Sequence, residues 1–457
     1  MKARNEEHTT RRSRNIYVAL AIATVLVVAL SYIGFSDRAS ARRAAAPDPV
    51  EVHAIDPTGA PVDTKELARL ITSFESDVRR APNATGLSFL GGLYLQRARI
   101  TGDLGSYEQA GAALDQALAR APGDTETLAR KASFLYRTHD FAGALALSQK
   151  IVANDPTVLG ALAVRGDAEV EVGRASDANQ TYEQLAVAAP NTPSVDVRRS
   201  HLAFLEGRVP EAERLAHQAE REAVKSGEFG TGLAYYREAR AQIAYDQGHY
   251  ADAAHLYVQA TRDAPGYYAT TALLAKTRAA QGRYPEAIRL YRSAIAQVPQ
   301  PDYLAALGDL LAMTGHAREA ELQYRTVEVT GTLAALNQQV YNRQLAVFDA
   351  DHERHVDDAV RLAQGELTER KDGFGYDTYA WTLLAAGRTD EARAASDQAL
   401  SFGIPDARLH YHAGMIAKAQ GDRVRARNEL RVALKLSPQF DPLQARRARK
   451  ALSAVGG

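Results

Sequence analysis

The chain has 457 residues, 46% hydrophobic and 24% charged, the ordinary balance of a folded protein. Its 55 lysines and arginines match its 55 aspartates and glutamates, so no whole-molecule positive field exists to hold a polyanion, and nucleic acid is not an expected partner. Cysteine is absent, which removes disulfides, thiolate nucleophiles and thiolate-ligated zinc together.

Residues 1–15 are a polar tail carrying Lys2, Arg4, Arg11, Arg12 and Arg14. From Ile16 to Phe35 the chain reads IYVALAIATVLVVALSYIGF, without a charge. At ~1.5 Å per residue such a helix spans about 30 Å, the thickness of a bilayer's hydrocarbon core. The basic flank predicts a cytoplasmic tail, a single-pass anchor in the cell (inner) membrane over 16–35, and the remainder on the non-cytoplasmic side. Ala39-Ser40-Ala41 offers a second reading, a secretory signal cleaved after it, but the apolar run is longer than a signal's usual core. Residues 36–64, with Pro47, Pro49, Pro57 and Pro61, read as a flexible linker. Residues 65–82 then place Leu67, Leu70, Ile71, Phe74 and Val78 on one helical face and stop at Pro82.

Beyond this point one pattern recurs. Gly282-Arg283-Tyr284-Pro285-Glu286-Ala287 returns as Gly207-Arg208-Val209-Pro210-Glu211-Ala212, and in looser form at Gly173, Gly248, Gly315, Gly387 and Gly421. Gly173 and Gly207, Gly248 and Gly282, and Gly387 and Gly421 are each 34 residues apart, as are Pro122, Pro156 and Pro190. A fixed period over this length signals a solenoid. Each glycine predicts a left-handed residue closing one helix, and the proline or acidic residues after it open a second. In that second helix Ala287, Ile288, Tyr291, Ala294, Ile295 and Val298 share a face, and a proline ends the unit.

This resembles the tetratricopeptide repeat family, whose unit is a helix–turn–helix of 34 residues. The first-helix small residue falls on Gly91, Ala132, Gly166, Ser200, Ala241, Ala275, Gly308, Ala380 and Gly414; the second-helix alanine falls on positions such as Ala110, Ala144, Ala178 and Ala212. The resemblance implies an all-α, right-handed α-solenoid of about ten units over residues 83–440, and the apolar run 16–35 adds one transmembrane helix before it. Residues 65–82 and 441–457 are its expected caps. A degenerate unit with Ala359 at the second-helix position lacks the turn glycine, and the first unit carries the insertion RARITG.

No catalytic signature emerges. His352-Glu353-Arg354-His355 has one residue too few between Glu and the second His for the zinc-peptidase spacing, and reads as a solvated polar turn. His410-Tyr411-His412 sends its histidines to different faces, and Arg446, Arg447, Arg449 and Lys450 read as a charged capping face. No nucleophile elbow, phosphate loop or dinucleotide fingerprint occurs, so neither cofactor, metal nor catalysis is expected. In the family the first helices line a concave surface that binds peptides of partner proteins. On that face the repeat places Tyr136, Phe204, Tyr235, Tyr245, Trp381, Tyr411 and Lys418, with inter-repeat core as the competing reading for the aromatics. The Lys/Asn clamp that some family members use for a terminal carboxylate is not recognisable. The expectation is a membrane-anchored scaffold for protein–protein interaction in an envelope complex. The alternative is an accessory, non-catalytic subunit of an envelope-biogenesis or cell-surface polysaccharide system.

Overall fold

The structure, a computed structural model, describes residues 64–336 and 342–456. The tail, the apolar run 16–35 and the linker lie outside the described residues. Among the described residues every regular element is an α-helix, and no helix is long and apolar enough to cross a membrane. The first helix, α1 (Thr64–Arg80), buries Leu67 and Ile71 against the next. Ten helix pairs follow. They are α2–α3 (Ala84–Thr101, Gly105–Arg120), α4–α5 (Thr125–Arg137, Phe141–Asn154), α6–α7 (Leu159–Glu171, Ala175–Ala188) and α8–α9 (Pro193–Leu205, Val209–Lys225). Next come α10–α11 (Gly230–Asp246, Tyr250–Asp263), α12–α13 (Tyr268–Ala280, Tyr284–Ile295) and α14–α15 (Pro301–Met313, Ala317–Leu336). The last are α16–α17 (Asn342–Asp351, Val356–Glu369), α18–α19 (Gly373–Ala385, Thr389–Leu400) and α20–α21 (Ala407–Ala419, Arg423–Leu436), and α22 (Pro442–Ala454) closes the array.

Local chemistry sets the boundaries. Asn83, Asp124, Asp140, Asp372, Asp422 and Asp441 each precede a helix and accept one of its unpaired backbone N–H groups. Gly173, Gly207, Gly248, Gly282, Gly315, Gly387 and Gly421 all sit at φ between +73° and +87°, as their spacing predicts. The pair α16–α17, which lacks the glycine, turns through left-handed Glu353 and His355 instead. The expectation of a solvated turn there needs correction at its first residue. His352 is largely buried, donating from Nδ1 to the Phe348 carbonyl (2.8 Å), with Nε2 2.9 Å from Asp309 Oδ1. Burial alone would lower its pKa, but the Asp309 carboxylate outweighs that and raises it.

Within a pair, the small residue of the first helix lies beneath the large residue of the second. A Cβ on Gly91 would meet Leu114 at 2.7 Å, and one on Gly414 would meet Leu430 at 2.8 Å. At Gly166 and Gly308 the covering group is a tyrosine, Tyr182 and Tyr324. Each phenol passes under the glycine and donates to the next first-helix residue, Tyr182 to Asp167 at 2.7 Å and Tyr324 to Asp309 at 2.8 Å. The Tyr182 ring is buried and the Tyr324 ring partly so, each with its hydroxyl satisfied, which is how a tyrosine can fill a core. The second-helix alanines 110, 144, 178, 212, 253 and 287 are wholly inaccessible, so a larger side chain there would force the pair apart.

The array coils until it meets itself. Tyr245 donates its hydroxyl to the Phe440 carbonyl at 2.9 Å, 195 residues along the chain. Beside it Gln439 N–H donates to Tyr250 Oη (2.7 Å), Tyr250 to Ser437 Oγ (2.8 Å), and Ser437 to the Tyr245 carbonyl (3.2 Å). The same register recurs along the seam. Val298 lies against Gly102, the Lys371 carbonyl against Gly173, and the Gly403 carbonyl against Gly207. Glu171 and Arg370 form an ion pair there, and the Arg370 guanidinium lies 5.2 Å from the Phe141 ring centroid. Phe204 and Ile243 share one apolar cluster with Ile404 and Leu409. A separation of 195 residues is about six 34-residue units. Successive turns of the superhelix therefore touch, with the turn of one unit seated on the inter-unit loop about six units later.

Candidate functional site

A coil whose turns touch encloses a lumen, and its wall is built mainly from the first helices of the units. Two cavities open there. The larger, about 510 Å³, is ringed by residues of α2, α4, α6, α8 and α10 and by Tyr267 just before α12. The smaller, about 350 Å³, lies where one turn faces the next: Phe204, Tyr235, Tyr245, Asp246 and Lys276 on one side, Phe374, Asp406, Arg408 and Phe440 on the other. Val197, His201 and Tyr235 line both, so the two spaces adjoin. Volumes of this order suit a small molecule or a few residues of a chain.

The walls mix tyrosines with charge. In the larger cavity Arg198 donates to Asp167 at 2.8 Å, and Glu171 pairs with Arg370. Tyr136 reaches Glu171 at 3.4 Å, and burial raises its hydroxyl pKa well above the usual value. Glu238 accepts a hydrogen bond from Thr270; burial nonetheless pushes its carboxyl up to about 7. His201 lies between the two cavities, and burial lowers its pKa, favouring a neutral imidazole. In the smaller cavity burial raises Asp246 to about 6 and lowers Lys276, whose Nζ stands 4.4 Å from the Tyr245 ring centroid. Just beyond, the start of α22 packs against α14, and Pro442 and Leu443 line a small recess with Lys276, Tyr291 and Asp309.

The seven residues expected on the concave face separate into three groups. Tyr136, Phe204, Tyr235 and Tyr245 line the two cavities. Of these, Tyr235 is 48% exposed, whereas Tyr245 is committed to the seam and 2% exposed. Trp381 and Tyr411 are a correction: they are core, not surface. Tyr411 is fully buried with Phe440, and Trp381 stacks on His412 at 4.1 Å and donates to Asp351 Oδ1 at 2.9 Å. The physical reason is α22, whose Ala445 and Ala448 join the apolar cluster around both rings. Lys418 is exposed and lines neither cavity. His410 and His412 do diverge, to Glu429 and Asp377 respectively. Arg99, Arg137, His201, Glu238, Tyr267 and Lys276 also line the lumen. Their only sequence signal is their place on first helices or the residue before one. Among the described residues no cluster of His, Asp and Glu is arranged to hold a metal.

Two family models described as "Tetratricopeptide repeat" match residues 244–321 and 95–158. No curated protein matches the chain. Among solved structures, a tetratricopeptide repeat protein from Parabacteroides merdae is similar at 16% identity, covering 58% of this chain and 99% of that one, with a TM-score of 0.34. The human IFIT1 dimer with PPP-AAAA is 13% identical over 85% of this chain and 99% of its own, at 0.47. PilW, described as a widely conserved type IV pilus biogenesis factor, is 18% identical over 45% and 93%, at 0.38. With every one of these TM-scores below 0.5, none bears on what this chain binds.

Proposed function

The chain is a tetratricopeptide-repeat protein, and from that premise we propose that it is a non-catalytic scaffold holding a peptide segment of a partner protein in its superhelical lumen. Residues 16–35 anchor it in the cell membrane with the solenoid on the non-cytoplasmic side, where it serves an envelope complex. The observation that carries the lumen reading is Tyr235. It is a large aromatic left 48% exposed where two cavities meet, in a wall whose other aromatics are mostly covered. Half-exposed tyrosines in concave surfaces are frequent anchors of protein partners. The uncharged run 16–35 and its basic flank support the anchor and its orientation.

Site-specific photo-cross-linking tests this. Benzoylphenylalanine placed at Tyr235 in the full chain, expressed in its own membrane, should give a discrete protein adduct. The same label at Val187 or Leu322, exposed on second helices, should not. Adducts at the second-helix positions with none from 235 would refute the reading.

A further inference from the structure

We infer that the outward face of α21, with α22 beside it, docks on anionic lipid headgroups of the membrane, an inference that rests on the anchor reading above. Arg423 to Ala454 carry nine lysines and arginines against two acids, so the rest of this neutral chain is acidic by the same seven charges. Of the nine, only Arg425 has an acidic partner among the described residues, pairing with Asp397 and standing 3.8 Å from Glu429. Arg427, Arg447 and Arg449 donate to backbone carbonyls, which leaves their charge uncancelled. Arg423, Arg431, Lys435, Arg446 and Lys450 are exposed. The array therefore ends in a basic surface that its own acids do not neutralise.

On α21 that charge is patterned. Arg423, Val424, Arg427, Arg431, Val432 and Lys435 fall at offsets 0, 1, 4, 8, 9 and 12, which is one helical face. Ala426, Leu430 and Ala433 on the opposite face are buried, and α22 closes over Ala426 through Leu452 and Val455. Among the described residues nothing covers the outward face, where Val424 is 61% exposed. Aliphatic side chains set among cations on one helix face suit a lipid–water interface: headgroup phosphates take the charge, and the valines enter the acyl boundary. A nucleic acid fits less well. Neither α21 nor α22 holds an aromatic ring to stack on a base, and a valine gains nothing against a sugar–phosphate backbone. The anchor keeps a bilayer within reach. Phe35 and Thr64 are separated by 28 residues, which span at most about 100 Å.

The test uses the full chain reconstituted in nanodiscs that contain nitroxide-labelled lipid. The chain has no cysteine, so a single fluorophore can be attached at Asn428→Cys, exposed on α21, or at Val187→Cys, exposed on α7. With phosphatidylglycerol mixed into phosphatidylcholine the label at 428 should be quenched, and with phosphatidylcholine alone it should not. The label at 187 should differ little between the two, and added salt should relieve the quenching at 428. Each basic residue at an anionic surface is worth about fivefold in binding, so Arg423→Glu/Arg431→Glu/Lys435→Glu should lower the ratio of docked to undocked chain at least about a hundredfold, with the melting temperature unchanged. The lipid contrast needs no change to the basic set, so it decides even where that variant unfolds. Quenching equal in the two lipids, absent from both, or unchanged in a folded triple variant would overturn the docking face; retention of the chain in both kinds of disc would leave the anchor standing. A chain that neither disc retains would overturn the anchor, and the face then stands or falls on the same contrast with added vesicles of the two compositions. Tighter binding of a single-stranded oligonucleotide or of an acidic peptide than of anionic vesicles would overturn the membrane as the occupant.

Discussion

Tyr245 and Phe440 stand 195 residues apart in sequence and are joined by a buried hydrogen bond of 2.9 Å, phenol to backbone carbonyl, at the seam between turns. That bond is one of the contacts that hold successive turns together, and it ties the end of one first helix to the loop before α22 about six units later. Removing the hydroxyl by Tyr245→Phe leaves the Phe440 carbonyl without a donor. The expected loss is about 1–3 kcal/mol in urea unfolding, with faster hydrogen exchange at residues 437–440. No change in either quantity would mean that the seam carries no load.

Two glycines separate turn geometry from coil closure. Gly173 and Gly282 both sit in the left-handed region, at φ +79° and +75°. A Cβ on Gly282 meets nothing within 4 Å, whereas one on Gly173 would stand 2.5 Å from the Lys371 carbonyl of the next turn. Gly282→Ala should therefore cost only the backbone term, about 1–2 kcal/mol. Gly173→Ala should cost clearly more, since seam atoms must also move. Equal losses in thermal unfolding would contradict the contact between turns.

The Glu171–Arg370 pair makes a third prediction. Both side chains are largely covered, at 17% and 19% exposed. Replacing Arg370 by Met leaves a carboxylate in the seam without its cation, at an expected loss of about 3 kcal/mol near neutral pH. Adding Glu171→Gln should recover most of it. A double variant no more stable than the single would show that the packing of Arg370 on Phe141, and not its charge, matters.

Glu238 predicts a pH dependence. Its carboxyl is raised from an ordinary 4.5 to about 7 by burial. Below the unfolded value both states hold the proton and nothing is lost. Between about 4.5 and 7 the unfolded chain ionises first, so the native state loses stability as pH rises, and above 7 the loss is constant. Glu238→Gln removes this term. Its stability relative to the parent should climb through that window by up to about 3 kcal/mol and then level off. A difference independent of pH would contradict the burial of Glu238.

The repeat was legible because its causes are local. A left-handed turn needs glycine, a helix start tolerates proline, and a close helix pair needs alanine or glycine opposite a large ring. Each requirement recurs every 34 residues. The lumen was not legible in the same way. Tyr235 and Trp381 both sit on first helices, yet one is half-exposed and the other is sealed beneath α22. What distinguishes them is that the closing helix α22 packs over Trp381 and nothing comparable covers Tyr235, a difference set by neighbouring elements and absent from any single unit. His352 escaped because its partner Asp309 lies 43 residues away on the first helix of the preceding unit, a contact that the residues around His352 do not announce.

Every role assigned to the lumen depends on successive turns touching, and one distance tests that. The chain has no cysteine, so spin labels can be attached at Arg208→Cys and Phe402→Cys alone, beside Gly207 and Gly403 on facing turns. Double electron–electron resonance on the full chain should give one narrow distance below about 25 Å, two helix diameters. A broad distribution centred beyond about 35 Å would describe an open spring with no enclosed lumen, and would contradict the account.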